Sequence, residues 1–369
     1  MIKVYSSHNK EKWCNIITSF PDYDVYYLPQ YTRALALHGD GEPFLYYYDG
    51  QGLRAANVVL RRDIATDKLF GGYIDKGTFF DQCTPYGYGG WIFAGEVSEE
   101  EIDNLCHAYE AYCRAEGMVS EFVRFHPLMG SDILCAKLYE IVTHGPLVYM
   151  DISSPDIIWK NLTKSKRNRI RKAMNSSVTM HYGLDARLLE RFQELYNRTM
   201  ERNKAEQYYF FGKEFYDSIL SDLKDHALVF YAAKDGVVIA ADIVIMAGQR
   251  MNSHLGASEL EYNEFQPQTL LTYHEALWGF EHGYKTLLLG GGLGSKEDSI
   301  YQFKKRFNKN SHLVFKTGRK IFNQDIYQEL CAMRNMSRGN AILDKSYFPL
   351  YRAKAIAPPL DPALTGAES

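Results

Sequence analysis

A chain of 369 residues, 46% of them hydrophobic, is long enough to fill two hydrophobic cores, and its 24% charged residues and short, Gly- and Pro-punctuated apolar runs exclude a disordered, fibrous or repetitive protein. No apolar run approaches the ~18 residues of a membrane span, and the opening MIKVYSSHNKEKW lacks the apolar centre of a secretory signal, so a soluble cytoplasmic protein is expected. Six cysteines form no C-x-x-C pair and read as reduced thiols, and a formal net charge of -3 gives no global attraction for nucleic acid.

In chain order, FLYYYD (44–49) and LRAANVVLRRDI (53–64) read as strands joined by a D-G-Q-G turn. After the Gly- and aromatic-rich loop TPYGYGGWIF (84–93), Ser98 and Glu101 predict a capping box, and the helix it opens stops at Gly117. VSEFVRFHP (119–127) is a strand ended by Pro127, and GPLVYMDIS leads into a basic helix over 156–174, where a domain boundary falls. The pattern then begins again. A helix over 188–203 precedes the aromatic loop QYYFFGKEF and a helix to about residue 223. Strands ALVFYAAKD and VVIAADIVIM flank Asp235 and Gly236, and MNSHLGAS follows as a third. A helix starts at Pro267 and stops at Gly283. KTLLLGG, DSIYQFKKRF and HLVFKTG then read as strand, helix and strand, before a final helix and a Pro- and Ala-rich tail expected to be disordered. A hairpin sheet followed by strand–helix alternation, occurring twice, predicts a mixed α/β fold in two units, 1–155 and 156–322, with a carboxy-terminal helix and tail over 323–369.

Charge is uneven along the chain. Residues 160–172 (KNLTKSKRNRIRK) carry seven basic side chains and no acid, and residues 304–320 (KKRFNKNSHLVFKTGRK) repeat the imbalance. Either block suits a phosphate, a pyrophosphate or an RNA backbone; the plainer reading is a solvated helix face. The glycines of LLLGGGLGS fit neither dinucleotide nor P-loop spacing, and no metal-ligand cluster or G-x-S-x-G elbow occurs, so no metal is expected.

Several stretches resemble the FemABX-type proteins, tandem GNAT enzymes that add amino acids to peptidoglycan precursors. KRNRIRKA (166–173) is similar to the basic stretch between their domains. TMERNKAEQYYFFGKEF, SHLGAS, LLLGGG and DSIYQFKKRF match their second domain in order. LPQY (28–31), TPYGYGG (84–90), VRFHP (123–127) and SYFPLYR (346–352) resemble a compact FemAB-like subgroup of surface-polysaccharide gene clusters. The resemblance implies two tandem GNAT-like domains and transfer of an acyl or aminoacyl group to an amine of a nucleotide-linked cell-wall or surface-glycan precursor. Its donor would be a co-substrate, aminoacyl-tRNA, acyl-coenzyme A or acyl carrier protein, with no permanently bound cofactor. Where acetyl-coenzyme A enzymes of the superfamily carry a Gly-rich phosphate loop, this chain has SHLGASELEYNEFQPQ, a departure shared with aminoacyl-tRNA-dependent members. A GNAT-like protein that binds a glycan or nucleotide without turnover is the alternative.

Direct acyl transfer needs an unprotonated amine, a donor for the developing oxyanion and a proton for the leaving group. Lys304 falls at the lysine of the family's Phe-Lys motif, as an oxyanion or phosphate partner, against the reading of an exposed helix lysine. Asp242 is a lone charge in an apolar strand, a pocket-facing base or an edge residue. His254 and Glu259 flank Gly256 and are placed to orient the amine, though a lone strand histidine is commonly packed and hydrogen-bonded. Acceptor-binding candidates are Tyr86, Tyr88, Arg124, His126, Lys166, Arg167, Arg169, Arg202, Tyr208 and Tyr209, the tyrosines forming an aromatic wall or ordinary core. Lys305, Arg306 and Lys316 are the donor-binding candidates.

Overall fold

The computed structural model describes residues 1–337 and 342–356, so the tail over 357–369 lies outside the described residues. The first part of the chain contains β1 (Ile2–Ser6), α1 (Lys10–Thr18), α2 (Pro29–His38), β2 (Glu42–Asp49), β3 (Leu53–Asp63), β4 (Phe80–Cys83), β5 (Ile92–Gly95), α3 (Glu99–Ala115), β6 (Met118–Arg124), α4 (Ser131–Leu134) and β7 (Glu140–Asp151). There follow α5 (Pro155–Asn161), α6 (Lys164–Met174), β8 (Thr179–Gly183), α7 (Ala186–Arg202), α8 (Lys213–Ser221), β9 (Ala227–Lys234), β10 (Val237–Ala247) and β11 (Arg250–Ser258). The chain continues with α9 (Pro267–Glu281), β12 (Thr286–Gly290), α10 (Ser299–Lys305), β13 (Leu313–Ile321) and α11 (Gln324–Met336), then a short ribbon of β14 (Ile342–Leu343) and β15 (Ala355–Ile356).

Thirteen strands form one mixed sheet in the order β1-β2-β3-β4-β6-β13-β7-β12-β11-β10-β9-β8, with β5 on β3. The long strand β7 is the joint: Glu140 to Leu147 pair with β13, and Val148 to Asp151 pair with β12. β13 comes from the carboxy-terminal half of the sequence yet lies between β6 and β7, so that half lends a strand to the amino-terminal part of the sheet. Helix α9 covers one face of β9 and β10 while α7 packs on β10 and β11 from the other side, which is why β10 reads as a nearly unbroken apolar run. One core spans both halves: Trp13, Tyr27, Tyr31 and Leu45 pack with Phe192, Phe215, Ile243 and Leu255.

Local sequence rules operate as expected at the hairpins. Asp235 and Gly236 both take positive φ (50° and 81°), the pair of left-handed residues that a two-residue turn with strand-compatible twist needs. Two expectations are corrected. The single helix over 156–174 is two, because Leu162 turns extended and Thr163 starts a new helix by accepting the Lys166 amide. Ser98 does cap α3 through the Glu101 amide, but the Glu101 carboxylate accepts from the Tyr48 hydroxyl (3.3 Å), so the reciprocal half of the capping box is not made.

Candidate active site

β11 and β12 run parallel and pair only from Arg250/Thr286 to Asn252/Leu288. Beyond that point the strands part: β11 stays on β10, with a bulge at His254, and Gly290 of β12 joins β7. Parting leaves their backbone groups facing the gap, and a bulge re-aims a side chain. A cavity of about 310 Å³ opens at this fork. Ser253 and His254 line it from β11, Leu288 to Gly292 from β12 and its loop, and Lys304 from α10. Tyr86, Tyr88 and Arg124 close it from the amino-terminal half.

Gly290 takes φ 77°, and a Cβ placed on it would lie 3.5 Å from Lys304 Nζ and 3.8 Å from Tyr88 Oη. The glycine thus leaves open the space where a lysine from one half and a tyrosine from the other converge. Lys304 Nζ donates to the Gly291 carbonyl (2.9 Å), and burial, opposed by Asp242 and Asp298, lowers its pKa to about 8. A group poised there carries charge near neutrality and sheds it at modest cost. Burial raises the Tyr86 phenol to about 12 and that of Tyr88 further, so both are hydroxyl donors at working pH. Burial lowers His254 to about 3. Its ring is therefore neutral, edge-on to Tyr31 (5.5 Å) and Tyr86 (5.7 Å), and its Nε2 has no hydrogen-bond partner among the described residues.

Behind Lys304, Asp242 of β10 is buried and accepts from Gln268 Nε2 (2.6 Å). A Cβ on Gly256 would stand 2.6 Å from its Oδ1, so the glycine of SHLGAS makes room for a carboxyl group. Gly256→Ala is therefore expected to destabilise the fold by about 1–3 kcal/mol, the range for overpacking a tight interior, measured as a lower urea midpoint.

The structure disperses the other sequence candidates. Glu259 is held between Arg191 (3.4 Å) and Arg198 (3.0 Å) of α7 and does not line the cavity. His126 is buried under it: Nδ1 accepts from the Leu128 amide, so Nε2 donates to Asp24 Oδ2 (2.9 Å). Tyr208 donates to Asp40 (2.9 Å), and the Tyr208 and Tyr209 rings lie 6.0 and 6.3 Å from Tyr86, extending an aromatic wall outward. Arg202 reaches the Ser258 carbonyl, Arg167 the Leu162 carbonyl, and Arg169 Gln266 Oε1. Lys305 donates to the Ser311 carbonyl and Lys316 to Asp132.

Lys166 departs from both readings of its block, since it is fully buried rather than solvated or phosphate-facing. Its Nζ sits 3.8 Å from the ring centres of both Phe303 and Phe307, with Thr269 Oγ1 at 3.5 Å. The ring faces attract an ammonium, but burial wins and lowers the pKa to about 7. A base depressed in the folded state leaves the unfolded chain holding more protons between about pH 7 and its ordinary 10.5. Stability contributed at this site therefore rises with pH across that window, by about 2–4 kcal/mol from the size of the shift. Chemical denaturation from pH 7 to 10 should show that rise in the native protein and lose it in Lys166→Met.

Sequence reasoning missed Asp24, Asn252 and Glu275. Asp24 is fully buried and accepts from His126 and from Asn252 Nδ2 (2.9 Å), tying the amino-terminal half to β11 directly below the cavity. The spacing of seven between Gln268 and Glu275 puts both on one face of α9, a signal available in the sequence. Among the described residues no group of three or more His, Cys, Asp or Glu is placed to hold a metal, and no helix is long and apolar enough to cross a membrane.

A fork between parallel strands, with a lysine and a hydroxyl converging on it, is a place to bind and polarise an acyl group. Residues 163–305 match the acetyltransferase (GNAT) domain model. In fold the chain is similar to FemX over most of its length. The structure of FemX superposes with a TM-score of 0.65 at 15% identity, covering 89% of this chain and 99% of that one. A conserved protein of unknown function from Bacteroides thetaiotaomicron gives 0.55 at 10% identity (87% and 100%). The C-terminal domain of a protein described as a lysylphosphatidylglycerol synthetase from Agrobacterium fabrum gives 0.52 at 13% identity (85% and 92%). No curated protein matches the sequence.

Proposed function

We propose that the protein transfers an aminoacyl group from charged tRNA to an amine of a nucleotide-linked cell-wall or surface-glycan precursor in the cytoplasm, with the reaction at the β11–β12 fork. The convergence of Lys304 and Tyr88 over Gly290 carries the reading. The acceptor nitrogen attacks the acyl carbon; a C–N bond forms, the ester C–O bond breaks, and the proton released by the amine passes to the leaving oxygen. Lys304 Nζ meets the charge that develops on the carbonyl oxygen, and Tyr88 Oη is placed to donate to the same oxygen or to the leaving group. His254, neutral and unpartnered, supplies an acceptor or donor for the incoming amine. In this reading residues 1–155 present the acceptor wall and residues 156–322 the donor side. Lys304 and His254 keep their roles; Glu259, already neutralised by two arginines, takes none.

The choice of donor rests on charge. Thr163 donates to the Arg306 carbonyl (3.0 Å through its amide), which sets α6 beside the end of α10 and merges two basic stretches far apart in sequence. Lys160, Lys164, Arg167, Arg169, Arg171, Lys172, Lys305, Arg306 and Lys309 make no salt bridge among the described residues. Unneutralised cations gathered on one surface favour a polyanion over a thioester's single pyrophosphate.

A donor panel tests this reading. Purified protein is assayed for label transfer and stabilisation with charged tRNA, coenzyme A thioesters and acyl carrier protein. Transfer from tRNA is expected, its affinity falling with salt at a log–log slope of about -3 to -5 for some five phosphate contacts. Transfer from a thioester with mild salt dependence would replace the donor. Stabilisation by nucleotide-sugars with no transfer from any donor would make the protein a binding module.

A further inference from the structure

Glu275 of α9 is fully buried, and neither of its carboxyl oxygens meets a donor among the described residues. The Asp242 carboxyl group lies within hydrogen-bonding reach of it, and Asp242 Oδ1 likewise has no donor, Gln268 serving the other oxygen. Two carboxylates held together away from water cannot both be charged. One proton held between the two groups gives two of these three oxygens a partner, one as donor and one as acceptor.

The surrounding elements leave this arrangement little choice. β9 and β11 place Phe230 and Gly256 beside Asp242. From α6 comes Lys166, turned to Thr269 and the two phenyl rings. From α10 comes Lys304, among the described residues the one cation whose charge acts on Asp242, and Asp298 also acts on that lysine. Among the described residues, the charge that acts on Glu275 is that of Asp242.

Resting on the active site assigned above, we infer that Glu275 is a positioning residue: it holds a proton and donates it to Asp242, so that the pair carries a single negative charge facing Lys304 and keeps the ammonium in place. Burial raises both carboxyls, Asp242 to about 6, so the single charge is lost only as pH falls through about 6. The arrangement makes Asp242 a fixed counter-charge rather than a base that collects the amine's proton.

Two readouts test it. The infrared carbonyl band of a protonated, buried carboxyl is recorded on the full-length protein at pH 7.5, where ordinary carboxyls are ionised, with Glu275→Gln as reference. Transfer rates are followed against pH for Glu275→Gln and Glu275→Leu. The band should be present in the native protein and missing in Glu275→Gln. The acid limb of Glu275→Gln, whose amide still donates to Asp242, should fall where the native limb does, while Glu275→Leu should shift it upward by about one pH unit or more. Absence of the band, or coincident limbs for Gln and Leu variants, overturns the inference. If Glu275→Leu does not fold, the band and the Glu275→Gln profile decide. Full transfer activity in Lys304→Ala would remove the assigned active site but leave the band in place, so the two failures are told apart.

Discussion

Lys304→Ala should lower the single-turnover rate of acyl transfer by about 10²–10³-fold while leaving the melting temperature close to native, the loss seen when one preorganised oxyanion partner is removed from a dry site. The side chain is one of few groups that reach the fork, and its bond to the Gly291 carbonyl fixes it against the loop that ends β12. Its charge has a pH signature of its own. With its pKa lowered to about 8, the ammonium is present below that value and lost above it, so transfer should decline on the alkaline side. Lys304→Arg, charged throughout, should be slower at neutral pH because a fork-shaped guanidinium does not fit a point-charge position, yet lose the alkaline decline. An alanine variant within threefold of native would remove Lys304 from the chemistry.

Asp24→Ala should cost about 3–5 kcal/mol of stability, the range for deleting one member of a buried charged network. Its carboxylate accepts from His126, Asn252 and the Val25 amide, and all three donors are inside the protein. Removing it leaves a histidine on the amino-terminal side and an asparagine of β11 unpaired in the layer beneath the cavity. Asp24→Asn should recover part of the loss, since its carbonyl still accepts from one donor. Urea unfolding of the three proteins gives the comparison; an alanine variant within 1 kcal/mol of native would mean water replaces the carboxylate freely.

Much of the fold was legible because its signals are local. Asp-Gly turns, Ser98, Pro267 and Gly283 mark where elements begin and end, and alternation or helical spacing supplies the rest. What was hidden is non-local. Nothing in HLVFKTG says that β13 crosses into the amino-terminal sheet, because strand pairing is decided by packing after the chain has turned back. The two basic blocks meet through Thr163 and Arg306, 143 positions apart, and Lys166 leaves its solvated neighbours because the rings of Phe303 and Phe307 take it in. Of the site, Lys304, Tyr86, Tyr88, Arg124 and His254 were legible together only through a family resemblance, and they do line one cavity. Glu259 misled because its neutralisation depends on Arg191 and Arg198, one helix face brought against the end of β11. Glu275 sits in a helix buried around most of its circumference, so its spacing alone does not single it out.

The central claim is that the fork between β11 and β12 is where the acyl group is held for transfer. A crystal structure with a non-hydrolysable aminoacyl-tRNA 3′-end analogue tests it most directly. The account predicts the acyl carbonyl oxygen within hydrogen-bonding distance, about 2.7–3.2 Å, of Lys304 Nζ, with the chain passing between Ser253 and Gly290. An analogue seated elsewhere, for example in the groove that Tyr73, Phe79, Leu330 and Met333 form against α11, with the fork unchanged, would contradict it.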